Sequence, residues 1–244
     1  MAPCWLTLYL DIAPGEYARA VEFWEGVTGG VLSAPRGDHG EFATLLPPDG
    51  DAQVRIQRLA QGTSRVHLDV HVAEDPDVFD AEVQRVVGLG ATLVALPGHA
   101  VMRSPGGFPL CLVREQLGRP PAPGSWPGGH RSVVDQLCLD IPPAAYDVEA
   151  AFWADLLHRD RRPTSRPEFE RLVGEPWLEI LLQRLDSADG PVRGHIDVAT
   201  DDRQAEVARL VGLGATVAYR GPDWTALTPP AGPVLCVTDR DPVH

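Results

Sequence analysis

The chain has 244 residues, with 34 acidic against 21 basic side chains and a formal net charge of -13. So acidic a protein is a poor partner for a polyanion, because phosphate backbones are held mainly by Lys and Arg releasing counterions, and nucleic acid is excluded on that ground. No stretch approaches the roughly 18 consecutive apolar residues of a membrane-spanning helix, and Met1 to Pro14 lacks a basic start and carries Asp11 in its apolar run, unlike a signal peptide.

Every basic side chain is Arg, and with no Lys in the chain a Schiff-base mechanism has no nucleophile. Cys4, Cys111, Cys138 and Cys236 are far apart without CxxC spacing. Such thiols point to a reduced, cytoplasmic setting rather than a disulfide framework.

In chain order, residues 5–12 alternate as a strand, with Leu6, Leu8, Leu10 and Ile12 on one face and Thr7, Tyr9 and Asp11 on the other. Pro14-Gly15 ends it, and Glu16 to Val27 has helical spacing with Tyr17, Val21, Phe23 and Trp24 as the apolar stripe. Short strands then alternate with turns up to Gln53–Gln57. A strand around His67 follows, then a helix from about Asp77 to Gly88 that starts at Asp75-Pro76. Three strand segments, 91–96, 100–103 and 109–113, close the first half.

The second half repeats this order. Leu139-Asp140-Ile141 matches Leu10-Asp11-Ile12, Phe152-Trp153 matches Phe23-Trp24, Gly212 to Thr216 matches Gly88 to Thr92, and Leu235-Cys236-Val237 matches Leu110-Cys111-Leu112. The signature of the repeat is Arg65-Val66-His67-Leu68-Asp69-Val70 against Arg193-Gly194-His195-Ile196-Asp197-Val198. Ordered matches at nearly constant offset mark a duplication. In a strand, period two sends His67, Asp69 and His71 to one face and Val66, Leu68 and Val70 to the other, and likewise separates His195 and Asp197 from Ile196 and Val198. The polar face is the candidate site.

The Phe-Trp pair of the first helix, the His-Leu-Asp-Val strand, the helix ending in Gly-Leu-Gly-Ala-Thr and the closing strand after Pro105-Gly106-Gly107 resemble the glyoxalase-like proteins of the vicinal oxygen chelate superfamily, in both halves. The resemblance implies an α+β fold of four βαβββ modules in two half-barrel domains, here residues 1–115 and 132–244 with a Pro/Gly-rich linker at 116–131. It also implies a cavity for a small ligand, often with a metal. Metal-using members take His or Gln from first strands and Glu from last strands. By position these fall on Thr7 or Tyr9, His67, Gln136 or Cys138, and His195, while the closing-strand Glu is replaced by Cys111 and Cys236.

Thiolate in place of carboxylate suits a softer metal such as zinc better than a hard divalent ion. The expectation is therefore chemistry without the family's usual metal, the alternative being a mixed divalent-metal set of Gln136, Glu179, His195 and Cys236. His67, Asp69, His195 and Asp197 are the candidate acid–base residues. Tyr9, His71, Gln136, Trp177 and Trp224 are candidate ligand contacts. Two functions fit: an enzyme of lyase, isomerase or cyclisation type acting on a small aromatic or polar-cyclic metabolite, or a non-catalytic binder of an antibiotic-like molecule. The expected partner is a small molecule only, and the expected assembly a monomer of tandem domains or a homodimer. The structural alternative for each strand His is a hydrogen-bonded core residue, and the run Arg159-Asp160-Arg161-Arg162 reads as a solvated loop or a partial lid.

Overall fold

A computed structural model of the chain describes residues 3–72, 74–114, 117–175, 177–187 and 189–242. The first module runs through β1 (Trp5–Ile12), α1 (Tyr17–Thr28), β2 (Val31–Leu32), β3 (Phe42–Leu46) and β4 (Val54–Arg58). The second is β5 (Arg65–His71), α2 (Pro76–Gly88), β6 (Thr92–Ala95), β7 (Ala100–Arg103) and β8 (Pro109–Val113). After the short β9 (Gly124–Ser125), the third comprises β10 (Arg131–Ile141), α3 (Tyr146–Leu157), β11 (Asp160–Pro163), β12 (Phe169–Val173) and β13 (Glu179–Arg184). The fourth is β14 (Arg193–Thr200), α4 (Arg203–Gly212), β15 (Thr216–Arg220), β16 (Trp224–Thr228) and β17 (Leu235–Thr238).

These are four βαβββ modules in an α+β fold. Each half forms one sheet, in the order β2-β3-β4-β1-β5-β8-β7-β6 and β11-β12-β13-β10-β14-β17-β16-β15, with β9 pairing β10 at the edge of this order. First strands lie at the centre, and all eight residues of β1 are buried on both faces. The polar faces of these strands are therefore enclosed, and their side chains need partners inside the protein.

Local chemistry sets the helix ends. Asp75 accepts from the amides of Asp77 and Val78 ahead of Pro76, and Asp202 accepts from the amide of Ala205. Gly29 stops α1 at φ 66°, a left-handed conformation that glycine adopts without steric strain. The buried stripe of α1 is Ala20, Phe23, Trp24 and Val27. Tyr17 and Val21 are only half-buried, because the contact face is centred one turn later than the apolar pattern suggests.

The chain divides into two compact units, each taking residues from both halves. One comprises Met1–Leu8, His67–Gly118 and Leu137–Gly194; the other comprises Tyr9–Val66, Arg119–Gln136 and His195–His244. In the first, Trp153 packs edge-on against Phe108 and Phe152, with ring centroids 5.7 and 5.4 Å apart. Gly194 stands where the first repeat has Val66, and a Cβ there would come within 2.8 Å of the Phe108 ring. Arg159 also lies inside this unit, donating to the carbonyls of Glu175 and Leu178, and burial pushes its guanidinium down to about 10. The neighbouring Asp160, Arg161 and Arg162 form the exposed strand β11 rather than a loop.

Both units use the same clamp. In one, Glu82 of α2 pairs with Arg85, whose guanidinium donates to the carbonyls of Asp155 and Leu156 at the end of α3. In the other, Glu206 of α4 accepts two bonds of 2.7 Å from Arg209, which donates to the carbonyl of Gly26 near the end of α1 at 2.6 Å. A cation at a helix C-terminus satisfies carbonyls that the helix leaves open. Ser132 and His130 also bond Glu206, and Arg209 stacks 3.5 Å over the Trp126 ring. Burial pushes the Glu206 carboxyl up, but the bonds and charge of Arg209, with those of His130 and Ser132, outweigh it and hold the group below the usual carboxylate range.

Arg209→Met strands a buried carboxylate and opens the end of α1. We expect a loss of about 3 kcal/mol or more in urea unfolding at pH 7. A depressed folded-state value means that the contribution of Glu206 is fully present above its unfolded value of about 4.3 and fades as pH falls through the lower folded value. The variant should therefore lose less further stability on acidification than the natural chain does; an equal acid loss in both would contradict this assignment.

Candidate functional site

In each sheet the His-x-Asp strand runs parallel to the closing strand, and the registers are equivalent: Asp69 lies opposite Cys111 on β5 and β8, and Asp197 opposite Cys236 on β14 and β17. Residues aligned across a parallel pair point to the same face, so each Asp shares its face with one Cys across the ladder and with the His two residues earlier. The groupings that follow from this register include two equivalent clusters, His67, Asp69 and Cys111 in one unit, and His195, Asp197 and Cys236 in the other. Within each, the donor atoms all lie within 4.8 Å of one another.

The first cluster is buried throughout, while in the second His195 is half-buried. The His67 Nε2 to Asp69 Oδ1 distance is 3.5 Å and the His195 Nε2 to Asp197 Oδ1 distance is 3.4 Å. Alternate residues on a strand start roughly 7 Å apart, so the side chains lean together, but not into the roughly 2.7–3.2 Å range of an N–H···O bond. Two ligands held at about 2.0–2.1 Å on a tetrahedral zinc lie about 3.3–3.4 Å apart. The His195–Asp197 distance has that spacing, and the His67–Asp69 distance is a tenth of an ångström longer.

Residues beside the clusters differ between the halves. Around the second, Arg240 donates to Asp135 through Nη2 and to Gln136 through Nη1, and its Nη1 lies 3.9 Å from Asp197 Oδ2. In the first half, His71 is fully buried and its Nε2 sits 2.8 Å from Thr7 Oγ1. Thr7 and His71 thus pair with each other beside the cluster. Asp11 is held by Arg65 at 2.9 Å, an anchoring role rather than a chemical one.

The other sequence candidates are dispersed. Glu179 lies 3.9 Å from Arg171, and Gln136 is engaged by Arg240, so His195 and Cys236 are joined by Asp197 in the cluster that forms. Tyr9 is buried edge-on against Phe42, with centroids 6.2 Å apart. Trp224 is half-buried and tilted against Tyr219 at 6.2 Å, and Trp177 is half-buried in the loop before β13. Trp126 of the linker donates from Nε1 to Ser132 beneath Arg209, so its ring is part of the clamp. Sequence reading missed Arg240 and Asp135. The signal was a carboxylate in the apolar run Val133-Val134-Asp135, which cannot be buried without a cation or hydrogen-bond partner.

The sequence profile of the glyoxalase-like domain matches residues 8–113 and again 136–238. The chain belongs to this family. It is a tandem member of the vicinal oxygen chelate proteins. No curated protein matches its sequence. Similar solved structures include the Mn(II)-bound glyoxalase from Novosphingobium aromaticivorans, at 17% identity and TM-score 0.66 over 97% of this chain and 82% of that one. Another is 2,2',3-trihydroxybiphenyl 1,2-dioxygenase from the dibenzofuran-degrading Sphingomonas wittichii strain RW1, at 15% identity and TM-score 0.64 over 98% of this chain and 90% of that one. The 2,3-dioxygenase LapB from Pseudomonas sp. KL28 is 14% identical at TM-score 0.64, covering 97% and 91%. At such identities the likeness establishes the fold. Among the described residues, no helix is long and apolar enough to cross a membrane.

Cys4 is exposed whereas Cys111, Cys138 and Cys236 are buried. Titration of the native protein with Ellman's reagent should show one rapidly reacting thiol, with the other three released by denaturant. Rapid native reaction at more than one thiol would contradict the packing of the clusters.

Proposed function

We propose that this chain is a metal-dependent enzyme of small-molecule chemistry, and that His195, Asp197 and Cys236 hold the ion, with His67, Asp69 and Cys111 as a second set of the same donors. The observation that carries this reading is the recurrence of one imidazole, one carboxylate and one thiol within 4.8 Å in both halves. Three protein donors leave a coordination position open, as in catalytic zinc sites. The thiol favours zinc over the manganese named for the similar glyoxalase structure. Zinc so held would polarise a bound oxygen and acidify bound water.

The chain's own residues supply the rest. The paired register keeps each Asp and Cys on one face, and the enclosing strands limit water around them. Arg240 Nη1 stands 3.9 Å from Oδ2 of Asp197, whose Oδ1 faces His195. A carbonyl or hydroxyl compound presented to this face would meet an oxygen-binding centre, which fits proton transfer of isomerase or lyase type on a small oxygenated molecule.

A second reading dispenses with metal and gives the His–Asp pairs themselves the proton transfer. It is favoured by the His–Asp distances of 3.5 and 3.4 Å, which set each carboxylate beside an imidazole. The alternative of a non-catalytic binder rests on the fold alone, since Trp126 and Trp224 are engaged by Arg209 and Tyr219.

The deciding experiment is elemental analysis of protein purified without chelator or immobilised metal, before and after reconstitution with zinc. We expect bound zinc, with the second-half share lost in His195→Ala and in Cys236→Ser. Metal-free protein that takes up none on reconstitution would overturn the metal reading and leave the acid–base pairs in its place.

A further inference from the structure

The two His–Asp–Cys clusters have the same donors but differ in what holds the aspartate. Arg240 lies just beyond β17, its side chain is largely buried, and it meets three acceptors: Asp135, Gln136 and, at 3.9 Å, the Oδ2 of Asp197. Asp197 has Oδ2 on the Arg240 side and Oδ1 3.4 Å from His195 Nε2. In the first repeat Thr7 stands in the place of Gln136 and His71 in the place of Ala199, and these two bond each other at 2.8 Å. Counting from the closing-strand cysteines, the first-half counterpart of Arg240 is Glu115, which lies outside the described residues.

Resting on the metal reading above, we propose that Arg240 is a positioning residue that fixes which oxygen Asp197 offers, and that it makes His195, Asp197 and Cys236 the tighter of the two metal sites. A guanidinium near a metal ligand also repels the ion. Here the Asp135 carboxylate, itself fully buried, contacts Arg240 more closely than Asp197 does and offsets that charge. What remains is orientation. A planar fork can satisfy two acceptors while touching a third; an ammonium is a point charge without that geometry. Groups that orient a ligand from behind commonly change metal affinity by about 10- to 100-fold when replaced.

The test uses two single-site proteins of full length, Cys111→Ser to leave the second-half cluster and Cys236→Ser to leave the first. Zinc affinity is measured by competition with a chromophoric chelator, and thiolate ligation is read from the charge-transfer band of the cobalt(II) form. In the Cys111→Ser protein, Arg240→Lys should weaken zinc by about 10- to 100-fold and diminish the cobalt band; in the Cys236→Ser protein it should change neither. Should Arg240→Lys fail to fold, Arg240→Met combined with Asp135→Asn removes both charges together and is held to the same expectation. Unchanged affinity in the Cys111→Ser protein would overturn the proposal, as would an equal loss in both backgrounds, the mark of a general structural role. If neither single-site protein nor the natural chain binds zinc or cobalt, the metal reading itself fails and this inference with it.

Discussion

The register between the His-x-Asp strand and the closing strand is the constraint on which the site depends. Parallel pairing sets Asp69 against Cys111 and Asp197 against Cys236. The period of two along the strand then brings His67 and His195 to the same faces. A slip of one residue would turn His and Asp to the opposite side of the sheet. Keeping this register is what the rest of each module does. The first strands occupy the sheet centres, and Glu-x-x-Arg pairs on α2 and α4 bind the ends of α3 and α1.

The duplication has been preserved at the clusters and altered around them. The donors are the same in kind, and the His–Asp distances differ by a tenth of an ångström, 3.5 against 3.4 Å. Beside the first cluster, Thr7 and His71 bond each other at 2.8 Å. Beside the second, Gln136 and Asp135 turn to Arg240. The two clusters thus have equal donors under unequal support.

Most of the fold was legible because it rests on local signals: the alternation of residues 5–12, the Asp-Pro start of α2, the Gly-Leu-Gly ends of α2 and α4, and the ordered repeat. The site was legible in part. Period two grouped His67 with Asp69 and His195 with Asp197, but periodicity along one strand carries no information about the residue across the ladder. The grouping of Asp197 with Cys236, in place of the expected Gln136 and Glu179, needed the sheet register. Arg240 and Asp135 are 105 positions apart in the chain, and only the folded sheet brings them together. Trp126 and Arg159 looked like linker and loop residues by their neighbours, yet one lies under Arg209 and the other is buried with its donors on two carbonyls.

In each half the His nitrogen and Asp oxygen stand 3.5 and 3.4 Å apart, about the spacing of two ligands on one ion, with the Cys sulfur on the same face. The most direct measurement is anomalous diffraction at the zinc edge from crystals grown with zinc and, separately, with chelator. The account predicts an anomalous peak bonded to His195 Nε2, Asp197 Oδ1 and Cys236 Sγ in the zinc crystals. Peaks confined to the surface, with His195 and Asp197 drawn into a direct hydrogen bond in both crystals, would contradict it.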